Sequence, residues 1–281
     1  MLKNKNIAFL GAGSMAEAML AGIVSANKVS KEQIYVTNKS NERRLKELQK
    51  RYGIQVSKGD QLSFDHIDVF ILAMKPKDAE AVLTSIKDRL KPHQLVVSVL
   101  AGITTSYMEH HLQDGQPVIR VMPNTSSMIG ESATAISPGK YSSNEHIKIA
   151  TELLTSIGEV FEIEEEQMDI FTGIAGSGPA YFYYLMEHME KAGKDGGLDT
   201  ETTRHIMAQT ILGAAKMILE NDETPSQLRK NVTSPNGTTA AGLEALAQYG
   251  GGKAISQAIK HAASKSMEIS SQLEKKLFIQ I

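Results

Sequence analysis

The chain has 281 residues, enough for one large or two modest domains, and a chain of this size buries roughly 75 % of its unfolded surface without staples. Hydrophobic residues at 41 % and charged residues at 22 % exclude long disorder and collagen-like structure; 30 Lys+Arg against 32 Asp+Glu, a net charge of -2, provide no basic field for nucleic acid or anionic membrane. The absence of Cys removes disulfides, thiolate nucleophiles and Cys-ligated metal sites together, so any chemistry must use other groups.

In chain order, the apolar run Ile7–Leu10 is too short for a signal-peptide core and leads into a Gly-rich turn. Strand-like runs follow at Ile34–Thr37, Val69–Ala73, Leu95–Val99 and Val118–Met122. Between them lie helix-like segments near 14–26, 41–52, 77–90 and 104–112, the third with Ala79, Val82, Leu83, Ile86 and Leu90 at helical intervals. This alternation predicts βαβ units and a mainly parallel sheet, completed by Ser132–Ile136 and Gly158–Ile163 around a helix over Asn144–Ile157. No run approaches the ~18 apolar residues of a membrane span, and the expected location is cytoplasmic.

From about Glu164 onward strand-like runs disappear and long helical periodicities take over. Pro179 suits the first turn of a helix reaching about Lys194. Later helices are expected at Thr200–Asn221, 225–232, 238–249 and 251–273, with Met186, Met189, Met207, Met217 and Met267 at core-like positions. The run Glu164-Glu165-Glu166 reads as a first helical turn, where acidic residues favour the dipole. The predicted architecture is therefore α/β: a doubly wound sheet over residues 1–163, then an all-helical domain over 164–281, tightly docked to it.

The first strand runs directly into Gly11-Ala12-Gly13-Ser14-Met15-Ala16. In a G-x-G-x-x-A fingerprint the first Gly makes the tight turn, the second lets the backbone approach a pyrophosphate, and the Ala permits close helix–strand packing. The N–H groups of the following helix then face the phosphates. Strand before, helix after and further βαβ units behind make this a Rossmann-type dinucleotide site rather than a glycine turn with only a structural job. At the end of the second strand, where a carboxylate would hold the ribose of NAD, stands Thr37-Asn38-Lys39-Ser40, followed by Arg43 and Arg44. With nothing there to repel a 2′-phosphate, Asn38, Lys39 and Ser40 favour NADPH, with NADH as the alternative; the other reading of Lys39, Arg43 and Arg44 is a solvated helix start.

Three further clusters stand out: Ile71-Leu72-Ala73-Met74-Lys75-Pro76 and Met122-Pro123-Asn124-Thr125, each closing a strand at the sheet's C-terminal edge, and Val232-Thr233-Ser234-Pro235-Asn236-Gly237-Thr238-Thr239, opening a helix. With Phe171–Tyr181 and Leu212–Met217, they make the chain resemble pyrroline-5-carboxylate reductases essentially end to end. The resemblance implies hydride transfer from NAD(P)H to the C=N bond of L-1-pyrroline-5-carboxylate, giving L-proline. It implies that Gly11, Ala12, Gly13, Ser14, Met15, Asn38, Ala73, Met74, Lys75, Pro76 and Ala101 line the cofactor. It also implies that Ser234, Gly237, Thr238 and Thr239 hold the substrate, and that the protein forms intertwined homodimers through the helical domain, with decamers of five dimers as a further step. Active sites would then lie between one chain's cofactor domain and helices that include its partner's. The family commonly has Gly where Asn236 stands and Pro where Ser126 stands; Asn is the non-Gly residue that best tolerates a left-handed backbone.

A protonated imine is already electrophilic, so the site must chiefly hold, orient and dry its reactants. If Ser234 precedes the first helical turn, N–H groups near Gly237 and Thr238 attract the substrate carboxylate, and Thr239 offers its hydroxyl to the ring nitrogen as the catalytic group. The rival for this segment is a Ser-capped helix after a Pro turn. Lys75 reads as ordering a cofactor loop rather than as an acid. Adjacent His110 and His111 point apart on a helix, and no metal is expected. A β-hydroxyacid dehydrogenase would need a lysine in a G-x-x-x-K-x-x-N helix motif, and the helix after Gly178 reads Pro179-Ala180-Tyr181-Phe182 instead. A non-catalytic dinucleotide binder would not need both Ser234 and Thr239.

Overall fold

The computed structural model describes residues 2–59 and 61–279, with 275–279 as backbone only. The chain alternates β1 (Ile7–Leu10), α1 (Ser14–Ala26), β2 (Ile34–Asn38), α2 (Glu42–Tyr52), β3 (Gln55–Lys58), β4 (Val69–Leu72), α3 (Ala79–Ile86), β5 (Leu95–Ser98), α4 (Thr105–His111) and β6 (Val118–Met122). Then come β7 (Ser132–Pro138), α5 (Asn144–Leu154) and β8 (Gly158–Glu162). The rest is helical: α6 (Met168–Phe171), α7 (Gly178–Asp195), α8 (Thr200–Glu220), α9 (Pro225–Asn231), α10 (Thr238–Gln248) and α11 (Gly251–Ile279).

One eight-stranded sheet runs in the order β3-β2-β1-β4-β5-β6-β7-β8, parallel throughout except where β6 meets β7. The chain winds outward from β1 through β2 and β3, then returns to place β4 on the other side of β1. That reversal opens a crevice at the C-terminal ends of β1 and β4. Strands buried on both faces read as unbroken apolar runs, and β1, β4 and β5 are buried along their whole length. Ile7, Phe9, Val69 and Ile71 point to a core with Met19, Leu20 and Ile23 of α1, Leu45 and Leu48 of α2, and Leu153 and Leu154 of α5. Ala8, Leu10, Phe70 and Leu72 point to the opposite core with Leu83 and Ile86 of α3 and Tyr107 and Met108 of α4.

The element order follows the expectation from sequence, with three differences, two in the α/β half and one in the helical half. β3 is a largely polar edge strand, Gln-Val-Ser-Lys, paired to β2; with Val56 as its one apolar residue against the core, it carries no periodic signal. The helix expected over 77–90 is divided into 3-10 turns at Pro76–Asp78 and Lys87–Arg89 flanking α3. Between α6 and α7 lies a π-helical turn, Thr172–Gly176, which helical periodicity does not reveal.

The chain divides into two compact units, residues 1–177 with 260–281, and 178–259. In the second, α7 and α8 pack where Gly193 lies against Thr203, with a Cβ on Gly193 falling 2.6 Å from the Thr203 methyl. Asp199 caps α8 by accepting from Thr202 N–H. Of the methionines expected in a core, only Met207 is buried; Met189, Met217 and Met267 are exposed in the single chain. Phe182, Tyr183, Tyr184, Leu185, Ile206 and Leu212 are exposed as well. The helical spacing is there, but the apolar stripe faces outward.

Candidate functional site

At the crevice, Gly11 adopts φ +123°, and a Cβ there would fall 2.5 Å from the Ala73 carbonyl carbon and 2.7 Å from Met74 N. Only a glycine lets the ends of β1 and β4 meet so closely. Gly11 N–H donates to Thr37 O and Ala73 N–H to Leu10 O, each at 3.0 Å, which fixes the three strand ends against one another. Gly13 is the N-cap of α1 and brings no side-chain cap. The first helical bond runs from Glu17 N–H to Gly13 O at 3.0 Å, so the N–H groups of Ser14, Met15 and Ala16 have no intrahelical acceptor. Gly13 and Ser14 are exposed while Ala12 and Ala16 are buried. Uncapped first-turn donors beside a side-chain-free turn form a cradle that fits a diphosphate.

Of the other expected cofactor residues, Ala73 and Met74 lie directly against Gly11. Ala73 is buried, Met74 and Pro76 half-buried and Lys75 exposed, with Lys75 as the N-cap of the 3-10 turn that starts at Pro76. Ala101 precedes Gly102, whose φ of +76° reverses the chain beneath α11; a Cβ on Gly102 would fall 2.5 Å from Ile269 Cγ2. Asn38, at the end of β2, accepts from Ser40 N–H and Asn41 N–H through Oδ1, both at 3.1 Å. That turn commits the carbonyl of the side chain and leaves its NH2 group as a donor. Arg43 is exposed and pairs with Glu47. Arg44 is not a solvated residue: its guanidinium binds Ala12 O and Glu17.

The Met122-Pro123-Asn124 turn is buried. Asn124 N–H donates to Ser132 Oγ at 3.0 Å, Oδ1 accepts from Ser126 N–H at 2.9 Å, and Nδ2 donates to Ala175 O at 3.0 Å. The last bond pins the π-helical turn to the end of β6, and such turns recur at functional sites. The sequence reading passed over Arg120, a charged residue inside the apolar run of β6. It is buried, with Nη1 3.2 Å from Glu165 and Nη2 3.8 Å from Asp169. Glu165 in turn accepts from Thr105 N–H at 2.9 Å and from the Thr105 hydroxyl, and Asp169 accepts from Ser266 Oγ at 2.6 Å. Glu165, expected to favour a helix dipole from a first turn, is thus the partner of a buried cation within the 3-10 turn Glu165–Gln167. A lone Arg in a strand otherwise buried on both faces was the available signal.

In the second unit the Ser234–Thr239 segment opens α10. Asn236 has φ +59°, the left-handed conformation expected of it. The N-cap is Gly237, not Ser234, and no side chain caps the turn. Gly237 N–H donates to Ser234 O at 3.1 Å, so this group is spent in the turn and is not the free donor expected. The first helical bond starts at Ala241 N–H, donated to Gly237 O, so the free donors are the N–H groups of Thr238, Thr239 and Ala240. Ser234, Thr238 and Thr239 are exposed, and their hydroxyls have no hydrogen-bond partner among the described residues. The start of α10 therefore has three N–H groups without an intrahelical acceptor and three exposed hydroxyls within residues 234–240. Among the described residues no group of three His, Cys, Asp or Glu side chains is placed to hold a metal ion.

Residues 165–269 match the pyrroline-5-carboxylate reductase dimerisation family, and residues 6–102 match the family of NADP oxidoreductases, coenzyme F420-dependent. The chain is 64 % identical to pyrroline-5-carboxylate reductase 1 of Bacillus subtilis over 96 % of its own length and 91 % of the relative's. It is 46 % identical to pyrroline-5-carboxylate reductase 2 of the same organism, over 95 % and 96 %. Among solved structures, Plasmodium falciparum pyrroline carboxylate reductase with NADP bound superposes with a TM-score of 0.88 at 31 % identity, covering 96 % of this chain and all of that one.

Proposed function

The chain belongs to the pyrroline-5-carboxylate reductase family, and from that premise we propose how its residues divide the work. It is an oxidoreductase that reduces the C=N bond of L-1-pyrroline-5-carboxylate to L-proline, the last step of proline biosynthesis. When bound, the reduced nicotinamide supplies the hydride. The cradle of Gly11, Ala12, Gly13, Ser14 and Met15 holds the diphosphate, and the Ala73-Met74-Lys75-Pro76 turn and Ala101 line the same cleft. NADPH is the proposed preferred reductant over NADH, because the end of β2 offers the Asn38 NH2 group, Lys39 and Ser40 and no carboxylate.

The observation that carries the substrate assignment is the uncapped start of α10. Free N–H groups of Thr238, Thr239 and Ala240 attract the substrate carboxylate without a cationic side chain, and the Ser234 and Thr238 hydroxyls add donors. Gly237 serves through its backbone conformation rather than its N–H. Thr239 directs its hydroxyl to the ring nitrogen. A threonine hydroxyl is too weak an acid to deliver a proton alone, so either the iminium form binds or water relays the proton. Exchanging Thr239 for Val removes that hydroxyl at constant shape. Nicotinamide absorbance followed with pyrroline-5-carboxylate should then record kcat lowered by roughly 100-fold; an unchanged kcat at every pH would remove Thr239 from the mechanism.

Residues 1–163 serve as the dinucleotide-binding domain and 164–281 as the helical dimerisation and substrate domain; the matched span of 165–269 supports that functional division, which differs from the compact units in that 164–177 and 260–281 fall in the first of them. The outward apolar stripe of α7 and α8 supports a homodimer formed through the helices, with five dimers joining as a decamer. On this reading activity falls when the protein is diluted below its dimer dissociation constant. A monomer of full activity, seen by sedimentation at assay concentration, would remove the dimer from the proposal. A cytoplasmic location belongs to the same reading and is checked by cell fractionation.

A further inference from the structure

Arg44 stands on α2 directly after the turn assigned to cofactor selection, yet its guanidinium faces the glycine loop. Nε donates to Ala12 O at 3.1 Å, and Nη2 binds the Glu17 carboxylate in the first turn of α1. Nη1 lies 3.8 Å from Glu47. Glu17 also accepts from Arg51 Nη1 at 2.9 Å and from the Tyr52 hydroxyl at 3.2 Å. The side chains of Glu17 and Arg44 are 14 % and 25 % exposed, so this pair is largely shielded from water, while Arg51 reaches Glu17 from the solvent side.

Two physical consequences follow for the cradle. The Ala12 carbonyl and the Gly13 N–H belong to one planar trans peptide, so an arginine holding the carbonyl also fixes the direction of that N–H. A carboxylate in the first turn of α1 competes with a diphosphate for the same N-terminal field and repels it at short range. Arg44 and Arg51 cancel that charge where it matters. With Nε on Ala12 O and Nη2 on Glu17, the guanidinium is anchored to the glycine loop and α1 and not to the turn at the end of β2.

We propose that Arg44 is a positioning residue for the dinucleotide diphosphate, acting through the Ala12 peptide and by neutralising Glu17, and that it does not read the 2′-phosphate. The proposal rests on the cofactor reading given above. Its signature is equal service to both cofactors: the diphosphate is common to NADPH, NADH and ADP-ribose, and the 2′-phosphate is not.

The test is equilibrium binding of NADPH, NADH and ADP-ribose to the purified full chain by titration calorimetry, with no imine present. Arg44→Met should weaken all three ligands by a similar factor, roughly tenfold. Glu17→Gln alone should leave each affinity within about threefold of the parent, and the double variant should bind at least about threefold more tightly than Arg44→Met, because the uncompensated carboxylate is gone. Loss confined to NADPH would make Arg44 a 2′-phosphate reader and overturn the proposal, as would unchanged affinities. A double variant no tighter than Arg44→Met would overturn the role given to Glu17. Thermal melts of each ligand-free variant establish folding. Should Arg44→Met not fold, Arg44→Lys, which keeps the charge but cannot bridge Ala12 and Glu17 together, must show a smaller loss shared by all three ligands. A parent protein that binds none of them removes the cofactor reading and the proposal with it, whereas failure of the proposal alone leaves parent binding intact.

Discussion

Asn236 holds the turn before α10 at φ +59°, a region that costs a β-carbon-bearing residue about 1–2 kcal/mol and that Asn and Gly occupy most easily. Asn236→Gly should therefore keep the turn, the melting temperature and the KM for the imine close to the parent. Asn236→Ala should lower unfolding free energy by about 1 kcal/mol and raise that KM, because the free N–H groups of Thr238 and Thr239 follow directly. Denaturant titration beside steady-state kinetics separates the two effects. The residue type at 236 made the conformation legible in the sequence. The fate of the Gly237 N–H was not, since whether it faces a ligand or closes onto Ser234 O depends on the turn geometry and not on residue identity.

At the scale of elements, α1 is held by contacts its own periodicity does not announce. Gly22 lies against the 125–129 turn: a Cβ there would overlap the Ser127 carbonyl oxygen and fall 2.8 Å from Ile157 Cγ2. Gly22→Ala must push α1 away from the turn that follows Asn124, a form of overpacking that costs about 1–3 kcal/mol. Thermal unfolding should record that loss, with weakened dinucleotide binding, since the same helix presents the cradle. Alanine favours helix over glycine by up to about 1 kcal/mol, so a stabilised Gly22→Ala protein would mean that propensity outweighs the close approach. The sequence displayed the amphipathic helices and the apolar central strands because each repeats a pattern along its own length. It did not display β3, an edge strand with little to bury, or the π-helical turn, which the Asn124–Ala175 bond ties to the end of β6.

For the whole molecule, stability should decline with acidity, and two partly buried groups carry distinguishable windows of that decline. Burial holds the His146 imidazole below its ordinary value of 6.5. The hydrogen bond from Arg44 holds the Glu17 carboxyl below its ordinary 4.5, against the opposing effect of burial. Both folded-state values lie below the unfolded ones, so in each window the unfolded chain binds more protons and stability rises with pH. The His146 contribution is complete above 6.5 and is lost as pH falls through its folded value; that of Glu17 is complete above 4.5 and is lost at lower pH still. Melting curves from pH 8 downward should show both losses, and His146→Gln should flatten the first while leaving the second.

The sequence by itself determined the doubly wound sheet, the helical second half, the glycine cradle and the Ser234–Thr239 turn, because each is written in neighbours a few positions apart. Tertiary structure alone decided that Arg44 meets Glu17, 27 positions away, and that Arg120 finds Glu165 across 45. It also decided that Met189, Met217 and Met267 face outward while Met207 is buried. Periodicity fixes which residues share a face; what that face meets depends on elements distant in the chain, and an ion pair or a buried seam forms only where the folded backbone brings them together.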